Sequence, residues 1–208
     1  MKNVALALCL SLAATTVTLA SPNVQFVDVY GQTATIAGTY YNGSVSAGIY
    51  HIKVDGVTQN SFCIDLADPA SSSAQPYSIV NLSSAPDAPL CPMGAAKATA
   101  IGKLWAMDYS PTMTQNQAAA LQLAIWDCVT DLDYSVTSGN FRVTGTDYGA
   151  QALLNSLQTY NGPVANMQAY TSVTYQDYAN ATVPAPGAMA LGSLGMMLVG
   201  WLRRRRAM

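Results

Sequence analysis

Three early segments alternate apolar and polar residues, and this period of two most strongly limits what the chain can fold into. They read VQFVDVY, TATIAGTYY and AGIYHIKVDGVTQNSFCID, at residues 24–30, 33–41 and 47–65. All three are rich in Val, Ile, Thr and Tyr, as strands are. Asp55-Gly56, between two of the runs, predicts a two-residue hairpin turn. The first third therefore predicts an antiparallel meander that ends near Cys63.

Helical patterns follow a Pro- and Ser-rich segment, residues 66–92, which predicts mostly loop. We expect helices at roughly Met93–Met107, at Gln115–Thr130 with Thr114 as N-cap, and from Thr146 or Asp147 to Asn161-Gly162. The segment MQAYTSVTYQDY, residues 167–178, then returns to strand character. Strands, then helices, then a returning strand predict an α+β fold.

The two ends of the chain have the composition of targeting segments. Residues 1–20 carry one positive charge, Lys2, ahead of an apolar run, which predicts a secretory signal peptide. Residues 183–208 contain the apolar run Ala188–Leu202 and then four arginines, which predict a C-terminal hydrophobic anchor helix in a membrane. These boundaries leave one exported domain at residues 21–182.

The predicted exported domain is acidic. It holds all eleven acidic residues of the chain, every one an aspartate, against four basic residues, which gives a formal net charge of −7. The whole-chain value of −2 hides this because the other basic residues belong to the two ends. Such a surface argues against nucleic acid as a partner.

Gln122 is a polar residue in an otherwise apolar part of the second predicted helix. It lies at the edge of an apolar stripe that consists of Leu121, Ile125 and Val129. A buried primary amide has two N–H donors and an acceptor to satisfy. Two interpretations stay open: the backbone at a strand end satisfies the amide, or a cysteine thiol has displaced the amide nitrogen as ammonia.

The cysteine count of the exported domain is odd. Cys9 belongs to the signal peptide, so Cys63, Cys91 and Cys128 remain, and exported cysteines usually pair. A Cys91–Cys128 disulfide with a Cys63–Gln122 thioester accounts for all three. The alternative is a disulfide from Cys63 to Cys91 or to Cys128, with Gln122 as an ordinary core amide.

The segments FCID and LQLAIW resemble the paired signatures of bacterial surface thioester domains: an aromatic-Cys-apolar-Asp segment, and a Gln followed four residues on by Trp. The matching residues are Phe62, Cys63, Ile64 and Asp65, and Gln122, Ile125 and Trp126. The resemblance implies that Cys63 and Gln122 form an intramolecular thioester and that Trp126 shields it from water. It also implies an antiparallel β-sandwich with an inserted helical subdomain. We expect Asp65 to make strand-end hydrogen bonds.

The start of the C-terminal segment, VPAPG, together with the apolar run and the arginines, resembles a PEP-CTERM sorting signal. Val183, Pro184 and Pro186 match the motif, whereas Ala185 stands in place of its glutamate. That departure bears on recognition by the sorting enzyme and leaves the three-part layout intact. The resemblance implies an exosortase-type enzyme as partner and delivery from the membrane to the cell surface or the extracellular space.

Other chemistries are poorly represented in the sequence. The spacing of a calcium loop occurs at Asp131, Asp133 and Ser135, but Val136 and Arg142 stand where an EF-hand needs glycine and glutamate. We therefore expect no metal site, and nothing indicates a cofactor. A turnover enzyme is not expected either, because the single histidine, His51, has no visible catalytic partner.

The sequence thus predicts an exported, surface-sorted, adhesin-like protein that binds covalently to amine or hydroxyl nucleophiles on a surface protein or polysaccharide. The alternative is a non-reactive structural protein of an extracellular polysaccharide or biofilm matrix, with disulfide-bonded cysteines. Only the first is expected to react with a free amine.

Overall fold

The structure, a computed structural model, describes residues 21–85 and 93–182. The predicted signal peptide, Cys91, the predicted sorting motif and the predicted anchor helix lie outside these residues. Within the described ranges, no helix combines the length and apolarity needed to cross a membrane.

The strands form one mostly antiparallel sheet. They are β1 (Asn23–Gly38), β2 (Asn42–Val54), β3 (Val57–Cys63), β4 (Gln75–Pro76), β5 (Ser78–Asn81), β6 (Phe141–Val143), β7 (Met167–Thr171) and β8 (Tyr178–Ala181). The order in the sheet is β4-β1-β2-β3-β8-β7-β5, and β6 pairs with β1. The first three strands are the predicted meander, and β3 ends at Cys63 as predicted.

The hairpin between β2 and β3 follows the turn chemistry of its sequence. Asp55 and Gly56 have φ values of 49° and 85°, and both central residues of this turn type need positive φ. The last pair before the turn is Val54 with Val57. The turn therefore fixes the register that brings Cys63 to the end of β3.

Three helices complete the α+β fold: α1 (Gly94–Asp108), α2 (Gln115–Thr130) and α3 (Ala150–Thr159). The first two confirm the predicted helices to within one residue at each end. Thr114 caps α2 in a reciprocal capping box with Gln117, which satisfies backbone N–H groups that the first turn leaves free. The third helix begins later than predicted, after Gly149, although Asp147 still accepts from the N–H groups of Gly149 and Gln151.

Two parts of the chain differ from the prediction. The segment expected to be mostly loop contains β5, which pairs with β7 along its whole length. The region expected to return as strand forms two strands, β7 and β8, around a turn. In that turn the Ser172 N–H donates to Asp177 at 2.7 Å, and the Ser172 hydroxyl accepts from Thr174 and Tyr175. These side-chain bonds reverse the chain inside a segment whose composition favours strand.

The second helix is the centre of the core. Every residue from Ala118 to Thr130 is buried, and α2 packs against β1 and β2 on one side and against α1 and α3 on the other. A helix enclosed on all sides needs no polar face. The predicted apolar stripe is therefore only part of its buried surface, and any polar residue on α2 must find its partner inside the protein.

Candidate functional site at the junction of Cys63 and Gln122

Cys63 and Gln122 lie against each other in the core. The Cys63 N–H donates to Gln122 Oε1 at 2.9 Å, and Gln122 Nε2 donates to the Cys63 carbonyl at 2.9 Å. Both residues are 0% exposed. The fold thus closes a 59-residue separation into a two-point pairing between one side-chain amide and one peptide unit.

The end of β3 explains why the Cys63 backbone is available. Phe62 and Cys63 pair with Ala179 and Tyr178 of β8, and the chain then turns away. Asp65 stabilises the turn, because its Oδ1 accepts from the N–H groups of Ala67 and Asp68 at 2.8 and 3.3 Å. Asp65 therefore makes the strand-end hydrogen bonds expected of it.

The Cys63 thiol is fully buried. Its Sγ donates to the Asp65 carbonyl at 2.7 Å. Burial raises the pKa of the thiol well above its ordinary value, the Asp65 backbone and Trp126 oppose this, and the charges of Asp65 and Asp177 add smaller increases. A reaction at this sulfur therefore needs a nearby group that takes up the proton.

Two buried carboxyl groups lie near enough to raise the pKa of the Cys63 thiol through their charges. Asp65 and Asp177 are 5% and 4% exposed. Burial raises the pKa of Asp177 to about 7, the Ser172 N–H opposes this, and the charges of Asp65 and Asp68 add to it. Burial likewise raises the pKa of Asp65. Groups with a pKa near neutrality exchange protons most effectively at neutral pH. Asp177 was not among the predicted site residues, and no sequence motif marks it.

Trp126 lies beside this pair. It lies one turn after Gln122 and is 1% exposed. Its indole N–H makes no hydrogen bond of normal geometry, but its proximity to the Cys63 thiol lowers the pKa of that thiol. Trp126 also lines a cleft of about 430 Å³, whose wall includes Phe26, Tyr50, Leu66, Asp68 and Gln176. Neither Cys63 nor Gln122 lines this cleft, whereas Trp126 both lines it and lies near the Cys63 thiol.

Phe62 holds the other side of β3. Its ring meets Trp105 and Tyr109 of the α1 region edge-on, with centroid distances of 5.5 and 6.2 Å. Such aromatic pairs stabilise contacts beyond the area that they bury. Phe62 therefore fixes β3 on α1 and does not face the cleft.

Cys128 and His51 are the other predicted residues that the structure describes. Cys63 and Cys128 are both free thiols, so no disulfide joins them in the described part of the chain. Cys91 is not described, and the Cys91–Cys128 disulfide stays a prediction. His51 pairs with Asp28 at the surface. Its neighbour Tyr50 faces the side of β2 that carries Ser61 and Cys63, so His51 points to the opposite side.

No protein-family profile, curated protein or solved structure matched this chain at a significant level. The functional inference therefore rests on the geometry of the site.

Proposed function

We propose that Cys63 and Gln122 form an intramolecular thioester and that the protein uses it to attach covalently to amine or hydroxyl nucleophiles. The observation that carries this proposal is the reciprocal pair of 2.9 Å hydrogen bonds between Gln122 and Cys63 in a fully buried position. A thioester hydrolyses unless it is sheltered, and the indole of Trp126 gives that shelter.

Formation of the bond requires one proton transfer and one leaving group. Cys63 Sγ attacks Gln122 Cδ, the Cδ–Nε2 bond breaks, and the nitrogen leaves as ammonia with the thiol proton. The Cys63 N–H already donates to Gln122 Oε1, which is where negative charge develops in the tetrahedral intermediate. Asp177 or Asp65 relays the proton.

In the reaction with a target, Cys63 Sγ is the leaving group and no longer the nucleophile. An amine enters through the cleft when the Trp126 indole moves aside and attacks Gln122 Cδ, the Cδ–Sγ bond breaks, and Cys63 leaves as a thiol with the proton that the amine loses. The product is an amide to the target, or an ester when the nucleophile is a hydroxyl. Asp68 lines the cleft, and a domain with a formal charge of −7 attracts cationic amines.

This chemistry fits an adhesin-like role. With the predicted signal peptide and PEP-CTERM-like signal, the protein is exported, anchored by its predicted C-terminal apolar segment, processed by an exosortase-type enzyme and displayed at the cell surface or released outside the cell. The target is a surface or matrix nucleophile. The β-sandwich with an inserted helical subdomain, which the resemblance implies, stays a prediction beside the one antiparallel sheet.

Intact mass measured before and after methylamine tests the proposal. Protein purified without amines or reductant is expected to be one ammonia lighter than its sequence, and methylamine is expected to add one methylamine and free one thiol. Cys63→Ala is expected to have the full sequence mass and no response, whereas the control Cys128→Ala reacts like the wild type. A wild-type mass without ammonia loss, unchanged by methylamine, overturns the proposal.

The second candidate function is a non-reactive matrix protein that binds polysaccharide. Two observations favour it: the Gln122 amide is already satisfied by the Cys63 backbone, and a second cleft of about 630 Å³ has Trp105 stacked on Tyr109 at 4.2 Å. The described residues of its wall carry no charge and include Gln59, Asn60, Gln168 and Asn180, a combination that suits a neutral sugar. Under this alternative, methylamine has no effect and Trp105→Ala abolishes binding to a neutral polysaccharide.

A further inference from the structure

Three carboxylates converge at the C-terminal end of α2. Asp127, Asp131 and Asp133 each place one oxygen within 4.8 Å of the other two. Asp127 is buried, Asp131 is half-buried and Asp133 is exposed. Like charges this close repel one another, and the C-terminal end of a helix also disfavours negative charge. A cluster of this kind is costly unless something cationic compensates for it.

Asp127 supplies an independent observation. It is 0% exposed, and its Oδ1 accepts from the Ser135 N–H at 3.2 Å. Its Oδ2 is buried without a hydrogen-bond partner, and so is Oδ1 of Asp131. Buried carboxylate oxygens are normally paired with donors, cations or metals. Two such oxygens in one cluster indicate a missing positive ligand.

No side chain of the described residues forms an ion pair with these carboxylates, although the charge of Lys97 lowers the pKa of Asp131. The one ion pair in the described ranges joins His51 to Asp28. Lys97 is near, but its Nζ donates to the carbonyls of Val129 and Thr130 at 2.7 and 3.3 Å. The lysine therefore binds the free backbone carbonyls at the C-terminal end of α2, and the Oδ2 atom of Asp127 stays without a partner.

The loop after α2 holds the carboxylates in place. The Ser135 N–H also donates to Asp133 Oδ1 at 3.0 Å, and the Asn140 N–H donates to Asp131 Oδ2. Gly139 has a φ of 78°, and a Cβ at this position would overlap the carboxylates of Asp131 and Asp133. Backbone N–H groups of the loop therefore bind Asp133 Oδ1 and Asp131 Oδ2. Asp127 Oδ2 and Asp131 Oδ1 have no such partner and can bind a ligand.

We propose that Asp127, Asp131 and Asp133 bind a calcium ion. The donors are all oxygens, which suit a hard cation, and calcium accepts six to eight oxygen ligands in irregular geometry, with water completing the set. The ion enters from the exposed side at Asp133. The sequence alone predicts no metal here because the loop lacks the EF-hand glycine and glutamate. The ligand that this pattern omits, Asp127, comes from the preceding helix.

Thermal unfolding of the metal-free protein with and without calcium tests the site. Calcium at about a hundred times its Kd is expected to raise the midpoint by roughly 5–10 °C, because it binds only the folded state. Asp127→Asn is expected to abolish this rise. Asp28→Asn, which removes one exposed carboxylate from β1, is expected to keep it.

Three results overturn the proposal: a wild-type midpoint that does not respond to calcium, an equal response in Asp127→Asn, and an equal loss in Asp28→Asn. The first is also the outcome if Asp127 and Asp133 share a proton and bind no metal. If Asp127→Asn does not fold, titration calorimetry on Asp133→Asn replaces it, with an expected affinity loss of about tenfold or more for one lost charged ligand. An equal affinity for magnesium overturns the assignment to calcium.

Discussion

Gln122 and Asp127 lie five residues apart on α2, and both are 0% exposed. They differ in whether their polar atoms find hydrogen-bond partners. The Gln122 amide has its oxygen and one of its two N–H groups matched by the Cys63 backbone. Asp127 has one oxygen matched and the other unmatched. A peptide unit at a strand end offers both an N–H and a C=O, so it can satisfy a neutral amide. It cannot neutralise a charge.

This difference separates the two regions chemically. Cys63 and Gln122 are both fully buried and carry no formal charge of their own, conditions that shelter a thioester and favour a protonated thiol. The Asp127 region is anionic and opens to solvent at Asp133. The reactive centre and the proposed cation site therefore share a helix without sharing ligands, and each can be perturbed separately.

The largest effect is expected from Trp126→Ala, which opens the neutral region to water. Removal of a tryptophan buried to 1% exposure is expected to lower the free energy of unfolding by about 3–5 kcal/mol. Water that enters from the cleft is expected to hydrolyse the thioester. Urea unfolding measures the first effect, and the intact mass, one water above the thioester form, measures the second.

Trp105→Ala is the matched control for that variant. Trp105 is half-buried and packs on Phe62 and Tyr109, away from the cleft beside Trp126. We expect a smaller loss of stability and no loss of the thioester. Equal thioester lifetimes in Trp126→Ala and wild type would show that the indole is not the shield. If Trp126→Ala does not fold, Trp126→Phe is expected to show partial hydrolysis.

The next effect in size is expected from Gln122→Leu, made in a Cys63→Ala background where no thioester can form. Leucine fills much of the space but leaves the N–H and C=O of residue 63 unpaired in the core. Each unsatisfied group costs about 1–3 kcal/mol, so urea unfolding is expected to show a loss of roughly 2–5 kcal/mol.

Gln151→Leu in the same background calibrates that value. Gln151 also pairs with backbone at both ends, since its Oε1 accepts from the Val136 N–H and its Nε2 donates to the Tyr134 carbonyl, each at 3.0 Å. It is only partly buried, so water can replace the lost partners. If the two variants lose the same stability, burial does not decide the cost of an unpaired amide here, and the comparison between the two regions fails.

The sequence predicted the parts of the fold that depend on local chemistry. The Asp55-Gly56 turn, the Thr114 cap and the end of β3 at Cys63 follow from residues within a few positions of each other. The strand β5 and the division of residues 167–178 into two strands did not, because they depend on pairing between β5 and β7, about 90 residues apart in the chain.

In the candidate site, too, the sequence predicted only the residues that a local motif marks. Two short motifs predicted that Cys63, Gln122 and Trp126 belong together, and the structure brings them together. The charge of Asp177 acts on the Cys63 thiol only because β8 pairs with β3. No residue near Asp177 in the sequence indicates this pairing. The calcium-loop spacing begins at Asp131 and does not include Asp127, because this buried carboxylate belongs to the helix before the loop.

A pH effect is expected from Asp177, the carboxyl group near the neutral pair. Burial raises its pKa to about 7 in the folded protein, above the value of about 3.9 in an unfolded chain. The folded state therefore holds more protons between these values. Its contribution to the free energy of unfolding is complete below about pH 4 and is lost as the pH rises through about 7.

Urea unfolding between about pH 4 and pH 8 measures this slope. Asp177→Asn is expected to flatten it, and Asp147→Asn, a variant of a carboxylate that caps α3, is expected to preserve it. The groups that face Asp177 and raise its pKa are Asp65 and Asp68. Asp65 contributes a slope of the same sign, so some dependence persists in Asp177→Asn. An unchanged slope in that variant contradicts the assignment.

The smallest effect is expected from His51→Ala, which tests charge at the surface. His51 pairs with Asp28, and their side chains are 31% and 64% exposed, so water and salt screen the pair. Exposed pairs of this kind stabilise proteins by less than about 1 kcal/mol, and urea unfolding is expected to show a change of that size. Because His51 points away from the side of β2 that faces Cys63, methylamine uptake is expected to stay at the wild-type rate. A slower uptake at unchanged stability would make His51 part of the reaction. An unchanged uptake leaves the buried carboxyl groups of Asp65 and Asp177 as the proton relay. It also leaves the buried polar groups around α2 as the ones whose loss changes the free energy of unfolding most.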